Sequence, residues 1–115
     1  MIKLIGTAYK RDDFSAEAFM SYWNEVHAPI SGKVPGIRGY VVTEIIDKLQ
    51  GPLDADAFVE VWYDDLESFK RAGESPEQAA AWADVANYAK TTGTFWLARE
   101  HVQIAPPTTG PGRLR

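Results

Sequence analysis

The stretch YWNEVHAPISGKVPGIRGYVV, Tyr22–Val42, changes its hydrophobic period half-way along. Up to Ile30 it extends a helical pattern, with Phe19, Trp23, Val26 and Ile30 sharing one face and His27 on the flank. After Pro35-Gly36, a turn dipeptide, IRGYVVTEII (Ile37–Ile46) is rich in β-branched residues and reads as a strand. A helix is thus delivered into a strand by a short loop. Pro29 lacks an amide donor and disfavours helix at Ala28, so an end or a kink is expected close to His27.

Upstream, Ser15 is a helix N-cap with Glu17 in the first turn, and Phe14 and Phe19 have the spacing of a hydrophobic staple. Before it, IKLIGTAY (Ile2–Tyr9) alternates as a strand. Downstream, DKLQGPLDAD is a polar loop, and AFVEVWY (Ala57–Tyr63) is a third strand with Phe58, Glu60 and Trp62 on one face. Asp64 and Glu67 form a capping-box pattern for a short helix reaching about Arg71. Ser75-Pro76, with Gln78 following, opens another helix running to about Ala89. TFWLAREHVQI (Thr94–Ile104) reads as a fourth strand, and the Pro- and Gly-rich segment 106–115 as a flexible tail after a single domain over 1–105.

The order β-α-β-β-α-β predicts an α+β, ferredoxin-like domain with a four-stranded antiparallel sheet. Tyr40, Val42 and Ile46 alternate with Val41 and Ile45, so both sheet faces ask for burial. Helices from one chain cover only one face, and a homodimer that pairs the sheets would cover the other.

The 115 residues suit one domain, and the formal net charge of −4 without a basic cluster argues against a nucleic-acid surface. The absence of cysteine removes disulfides, thiolate nucleophiles and cysteine-based metal sites. No apolar run approaches the roughly 18 residues of a membrane span, so a cytoplasmic protein without a membrane partner is expected. No Gly-rich phosphate loop, dinucleotide fingerprint, metal-spaced His/carboxylate set or Ser-His-acid order is present, so chemistry without a cofactor or metal is expected.

Of the two histidines, His27 is the candidate for proton transfer, against the plainer role of a helix-end charge. Tyr40 could hydrogen-bond a developing oxyanion or simply pack on the helix. Glu60, between Phe58 and Trp62, is either a desolvated acid or the partner of Arg38 or Arg99. His101 suits a surface position. Trp23, Trp62, Trp82, Phe95 and Trp96 are core rings or ligand walls.

FSAEAFMSYWNEVHAPISGKVPGIRGYVV and FVEVWYDDLESFKRAGESPEQAAAWADVANY resemble the EthD-domain family of the dimeric α+β barrel superfamily. The resemblance covers roughly residues 1–103. It implies two sheets meeting as a barrel, with a pocket in each protomer between sheet and helices. The methylmuconolactone methylisomerase branch of the family is understood to use a histidine at the place of His27 and a tyrosine at that of Tyr40. Its second histidine, near the third strand, has no counterpart in Ala57–Tyr63. Related barrels include polyketide cyclases and cofactor-free monooxygenases. The expectation is a cofactor-free isomerase, cyclase or lyase acting on a lactone or aromatic carbonyl compound, with His27 and Tyr40 catalytic and Trp23, Glu60, Trp62 and Phe95 binding substrate. The alternatives are a non-catalytic carrier of a hydrophobic aromatic metabolite and a cofactor-free monooxygenase.

Overall fold

Serine caps start two of the helices as their spacing predicts. In the computed structural model, which describes residues 1–107, the Ser15 hydroxyl accepts from the Ala18 amide at 3.0 Å, and that of Ser75 from the Gln78 amide at 3.1 Å. Most of the expected tail, 106–115, lies outside the described residues. The elements are β1 (Ile2–Ala8), α1 (Ala16–Tyr22), a π-helical turn (Trp23–His27), α2 (Ala28–Ser31), β2 (Gly39–Glu44), β3 (Ala57–Tyr63), α3 (Leu66–Gly73), α4 (Pro76–Val85) and β4 (Phe95–Ala98). The sheet order is β2-β3-β1-β4, every pair antiparallel, which is the ferredoxin-like arrangement.

Four boundaries differ from expectation; one is α4, which ends at Val85 rather than about Ala89. β4 stops at Ala98 rather than Ile104, because its only ladder partner among the described residues is β1; Ala98 already pairs with Lys3, and β1 begins one residue earlier. β2 is shorter than Ile37–Ile46, although Arg38 and Ile45 still donate to Trp62 and Asp56 carbonyls on either side of the ladder. The cap of α3 is Asp65 rather than Asp64, its carboxylate accepting from the Ser68 amide at 2.8 Å.

The helix does not end at Pro29. Pro29 cannot supply the donor that a regular helix needs, and the chain widens just before it: the Ala28 amide reaches back five residues to the Trp23 carbonyl. α2 then continues to Ser31. The wide turn also alters which side chains face inward. With more residues per turn, a spacing of four stays on one face, so Phe19, Trp23 and His27 are buried while Val26 is exposed. His27 occupies the core position that a regular helix would give to Val26.

The helices cover the face carrying Ala57, Val59, Val61 and Tyr63 of β3, which alternate strictly with half-buried Phe58, Glu60 and Trp62. Register across the ladder puts Tyr40 opposite Val61, hence on the helix side. Phe19, Trp23, Tyr63 and Tyr88 complete the core. The other face, with Val41, Phe58, Glu60, Trp62 and Trp96, has no helix over it among the described residues.

Candidate active site

Between the helices and the inner face of the sheet lies a cavity of about 250 Å³. Its walls are mostly apolar, with Val59 and Val61 among them, and the polar residues lining it include His27, Ser31, Tyr40 and Tyr88 together with Thr7, Tyr63, Gln78, Lys90 and Thr91. At its rim the half-exposed rings of Trp82 and Phe95 meet edge to face, with centroids 5.4 Å apart. Phe95 lies across Gly6 of β1, where any Cβ would run into the ring.

The π-turn points His27 into this cavity, and α4 supplies its partner. His27 Nδ1 lies 2.9 Å from Asp84 Oδ2, and both side chains are buried. A carboxylate only accepts, so Nδ1 carries the proton and Nε2 keeps its lone pair. Nε2 has no partner among the described residues, yet no buried side-chain polar atom there is left unsatisfied. It therefore keeps some accessible surface, and His27 is one of the residues that line the cavity. Burial pushes the His27 pKa below the ordinary 6.5 and the Asp84 carboxylate only partly offsets this, so the ring is neutral near pH 7. For Asp84, burial would raise the pKa, but hydrogen bonds from Asn87, Tyr22 and His27 outweigh it and hold the carboxyl below its ordinary value. The Tyr22 hydroxyl donates to Oδ1 at 2.7 Å and the Asn87 amide at 3.0 Å, which fixes the carboxylate from behind.

Tyr40 enters from β2. Its hydroxyl accepts from the Trp23 indole Nε1 at 2.8 Å and is 2.8 Å from the Ser31 Oγ. Burial raises its pKa, and the bonds from Ser31 and Trp23 draw it back. Tyr88, like Tyr63, also lines the cavity. Its ring packs against His27 at 4.9 Å and against Tyr22 at 4.9 Å, and burial raises its pKa strongly. Bonds from the Arg11 amide to the Tyr88 carbonyl (3.1 Å) and from the Lys90 amide to the Tyr9 carbonyl (2.8 Å) hold this segment beside β1.

Of the residues singled out in the sequence, His27, Tyr40, Trp23 and Phe95 come together around this cavity. Glu60 and Trp62 do not. Strand alternation puts them on the opposite sheet face, where Glu60 pairs with Lys3 at 2.5 Å, not with Arg38 or Arg99. Trp62 donates to Glu100 at 3.0 Å, and the Lys3 ammonium sits 5.3 Å from the Trp62 ring centre. Neither is a wall of this cavity. Asp84 belongs to the Ser-Pro-Glu helix stretch that carries the resemblance but, like Ser31 and Tyr88, is not one of the candidate site residues. A carboxylate 57 positions from a histidine carries no local signal. Among the described residues no three His, Cys, Asp or Glu side chains cluster as metal ligands, and no helix is long and apolar enough to cross a membrane.

The EthD domain model matches residues 11–92, which spans the π-turn, Tyr40, Asp84 and Tyr88.

The chain belongs to the EthD family.

Among solved structures, an EthD family protein from Bacillus halodurans C-125 is 31% identical, with a TM-score of 0.73, over 88% of this chain and 99% of that one. A dimeric protein of unknown function with a ferredoxin-like fold, from Bacteroides fragilis, aligns at 19% identity and TM-score 0.64, over 86% of this chain and 95% of that one. SnoaB, a cofactor-independent oxygenase from Streptomyces nogalater, aligns at 16% identity and TM-score 0.63, over 90% and 97% of the two chains. The latter two likenesses concern the fold. No curated protein matches the sequence.

Proposed function

We propose that this EthD-family chain is a cofactor-free enzyme that moves a proton on a small cyclic or aromatic carbonyl compound, such as a lactone or a polyketide-like ring. One observation carries the reading: the Nδ1–Asp84 bond leaves the other nitrogen of a neutral imidazole without a protein partner, among the described residues, beside a largely apolar cavity that Tyr40 and Tyr88 also line. In the step this supports, His27 Nε2 takes the proton from a carbon next to the carbonyl. The C–H electron pair becomes the enolate, and the negative charge gathers on the oxygen. Tyr40, with Tyr88 as the second donor, hydrogen-bonds that oxygen. The imidazolium, held by Asp84, returns the proton to another carbon in an isomerisation or cyclisation, or to a leaving group in a lyase reaction. A positioned base of this kind contributes about 10²–10⁴-fold. Trp23, Phe95 and the valines of β3 supply apolar walls that exclude water. A homodimer joined through the uncovered sheet face accompanies this reading, supported by the half-buried rings there and by the dimeric neighbour.

The test is a panel of unsaturated lactones and aromatic ketones, followed by product analysis and oxygen uptake. The proposal expects turnover without oxygen consumption, lost in His27→Gln. Turnover of a panel compound that survives His27→Gln contradicts it. Oxygen uptake with a phenolic substrate would assign a cofactor-independent oxygenase instead, and saturable binding without product a carrier.

A further inference from the structure

The hydroxyl of Ser31 is shared between two oxygens, and its single proton can serve only one. Ser31 Oγ lies 3.1 Å from the His27 carbonyl, one helical turn back, and 2.8 Å from the Tyr40 hydroxyl. The third member is unambiguous: an indole N–H only donates, so Trp23 Nε1 gives its proton to the Tyr40 oxygen at 2.8 Å. Two proton arrangements satisfy these distances. In the first, Ser31 donates to the His27 carbonyl and Tyr40 donates to Ser31, so every proton of the chain is used internally. In the second, Ser31 turns its proton to Tyr40, whose oxygen then accepts twice, and the Tyr40 proton is released toward the cavity. The heavy atoms need not move; only the serine and tyrosine O–H bonds rotate.

We infer that Ser31 is a positioning residue that switches Tyr40 from a self-contained hydroxyl into a donor aimed at an acceptor oxygen of the bound compound. This rests on the proposed carbonyl chemistry for its purpose, but the switch itself is a property of the ligand-free chain. In the released arrangement two donors converge on the phenol oxygen, which makes its remaining proton a stronger donor through hydrogen-bond cooperativity. The switch costs one side chain–backbone bond and restores it when the site empties. It also favours a compound presenting a bare oxygen over one presenting an N–H or O–H at that point, since Trp23 and Ser31 then occupy the lone pairs of Tyr40.

The test replaces the tyrosines by 3-fluorotyrosine, follows the phenol titrations by fluorine NMR, and assigns Tyr40 by its loss in Tyr40→Phe. Ser31→Ala should raise the Tyr40 midpoint by roughly 0.5–1 pH unit, about the worth of one neutral hydrogen bond at the oxygen. Ser31→Cys, a similar shape with a weak donor, should move it the same way, and Ser31→Thr should leave it near wild type. An unchanged midpoint in Ser31→Ala or Ser31→Cys overturns the inference, since the serine proton would then stay on the His27 carbonyl. Equal shifts in Ser31→Ala and Ser31→Thr overturn it as well, because packing rather than the hydroxyl would be responsible. Neither result depends on any substrate, so the proposed reaction stands or falls separately.

Discussion

Replacing Asp84 by asparagine should invert the tautomer of His27. The carboxylate receives two donors at Oδ1, from Tyr22 and Asn87, and one at Oδ2, from His27. An amide has one oxygen to offer, and the two donors at Oδ1 outvote the one at Oδ2. The new NH₂ group then faces His27 Nδ1 and donates to it. Nδ1 must become the acceptor, the proton moves to Nε2, and the cavity loses its base. The loss of a base predicts a fall in turnover of about 10²–10⁴-fold. A second effect points the same way. The hydrogen bond to a charged group is worth about 1.5–3 kcal/mol, or roughly 1–2 pH units in the pKa of His27, whose value should drop further. The lower end applies because Asp84 also borders a shallow groove open to water. Long-range proton–nitrogen NMR on histidine-labelled protein reads the tautomer directly. With only two histidines, His27→Gln assigns the signals. Wild type should show Nε2 as the unprotonated nitrogen of His27, and Asp84→Asn should show Nδ1. Should the variant keep the wild-type pattern, the orienting role of Asp84 is refuted.

Tyr40→Phe leaves the buried Trp23 indole without its acceptor, and should lower stability by about 1–3 kcal/mol in urea unfolding; a change within error would mean the bond carries nothing. Acid should weaken the fold in two steps. His27 has a lowered pKa, so its contribution is present above the unfolded value of about 6.5 and is lost as pH falls toward the folded one. Asp84 contributes above an unfolded value of about 3.9 and loses that contribution as pH falls through its lower folded value. In unfolding measured against pH, His27→Gln should remove the upper step and spare the lower. Gly6→Ala forces Phe95 off β1 and should cost about 1–3 kcal/mol while opening the rim, visible as increased near-ultraviolet change and ligand off-rate.

What the sequence made legible follows local chemistry. The strict alternation of Ala57–Tyr63 and the caps at Ser15 and Ser75 act within a few residues, and each is found where it was expected. The π-turn was not legible as such. Pro29 announced a disturbance, but regular spacing assigned Val26 to the core and His27 to its flank, and the wide turn exchanged them. Asp84 and Tyr88 reach His27 only through the packing of α4 and the segment after it onto the first helix. Glu60 and Trp62 shared a face as read, yet nothing local says which face the helices cover. That choice follows from the whole core, where Val59, Val61 and Tyr63 outweigh a face broken by Glu60 and Lys3.

Whether His27 takes a proton from carbon beside a carbonyl can be read by solvent exchange. An unsaturated lactone or cyclic ketone incubated with the protein in deuterated water is followed by proton NMR at the carbon next to the carbonyl. Deuterium should enter at that carbon in recovered compound, or at the carbon that receives the returned proton in product, slowed by about 10²–10⁴-fold in His27→Gln. Exchange or conversion undiminished in His27→Gln would contradict it.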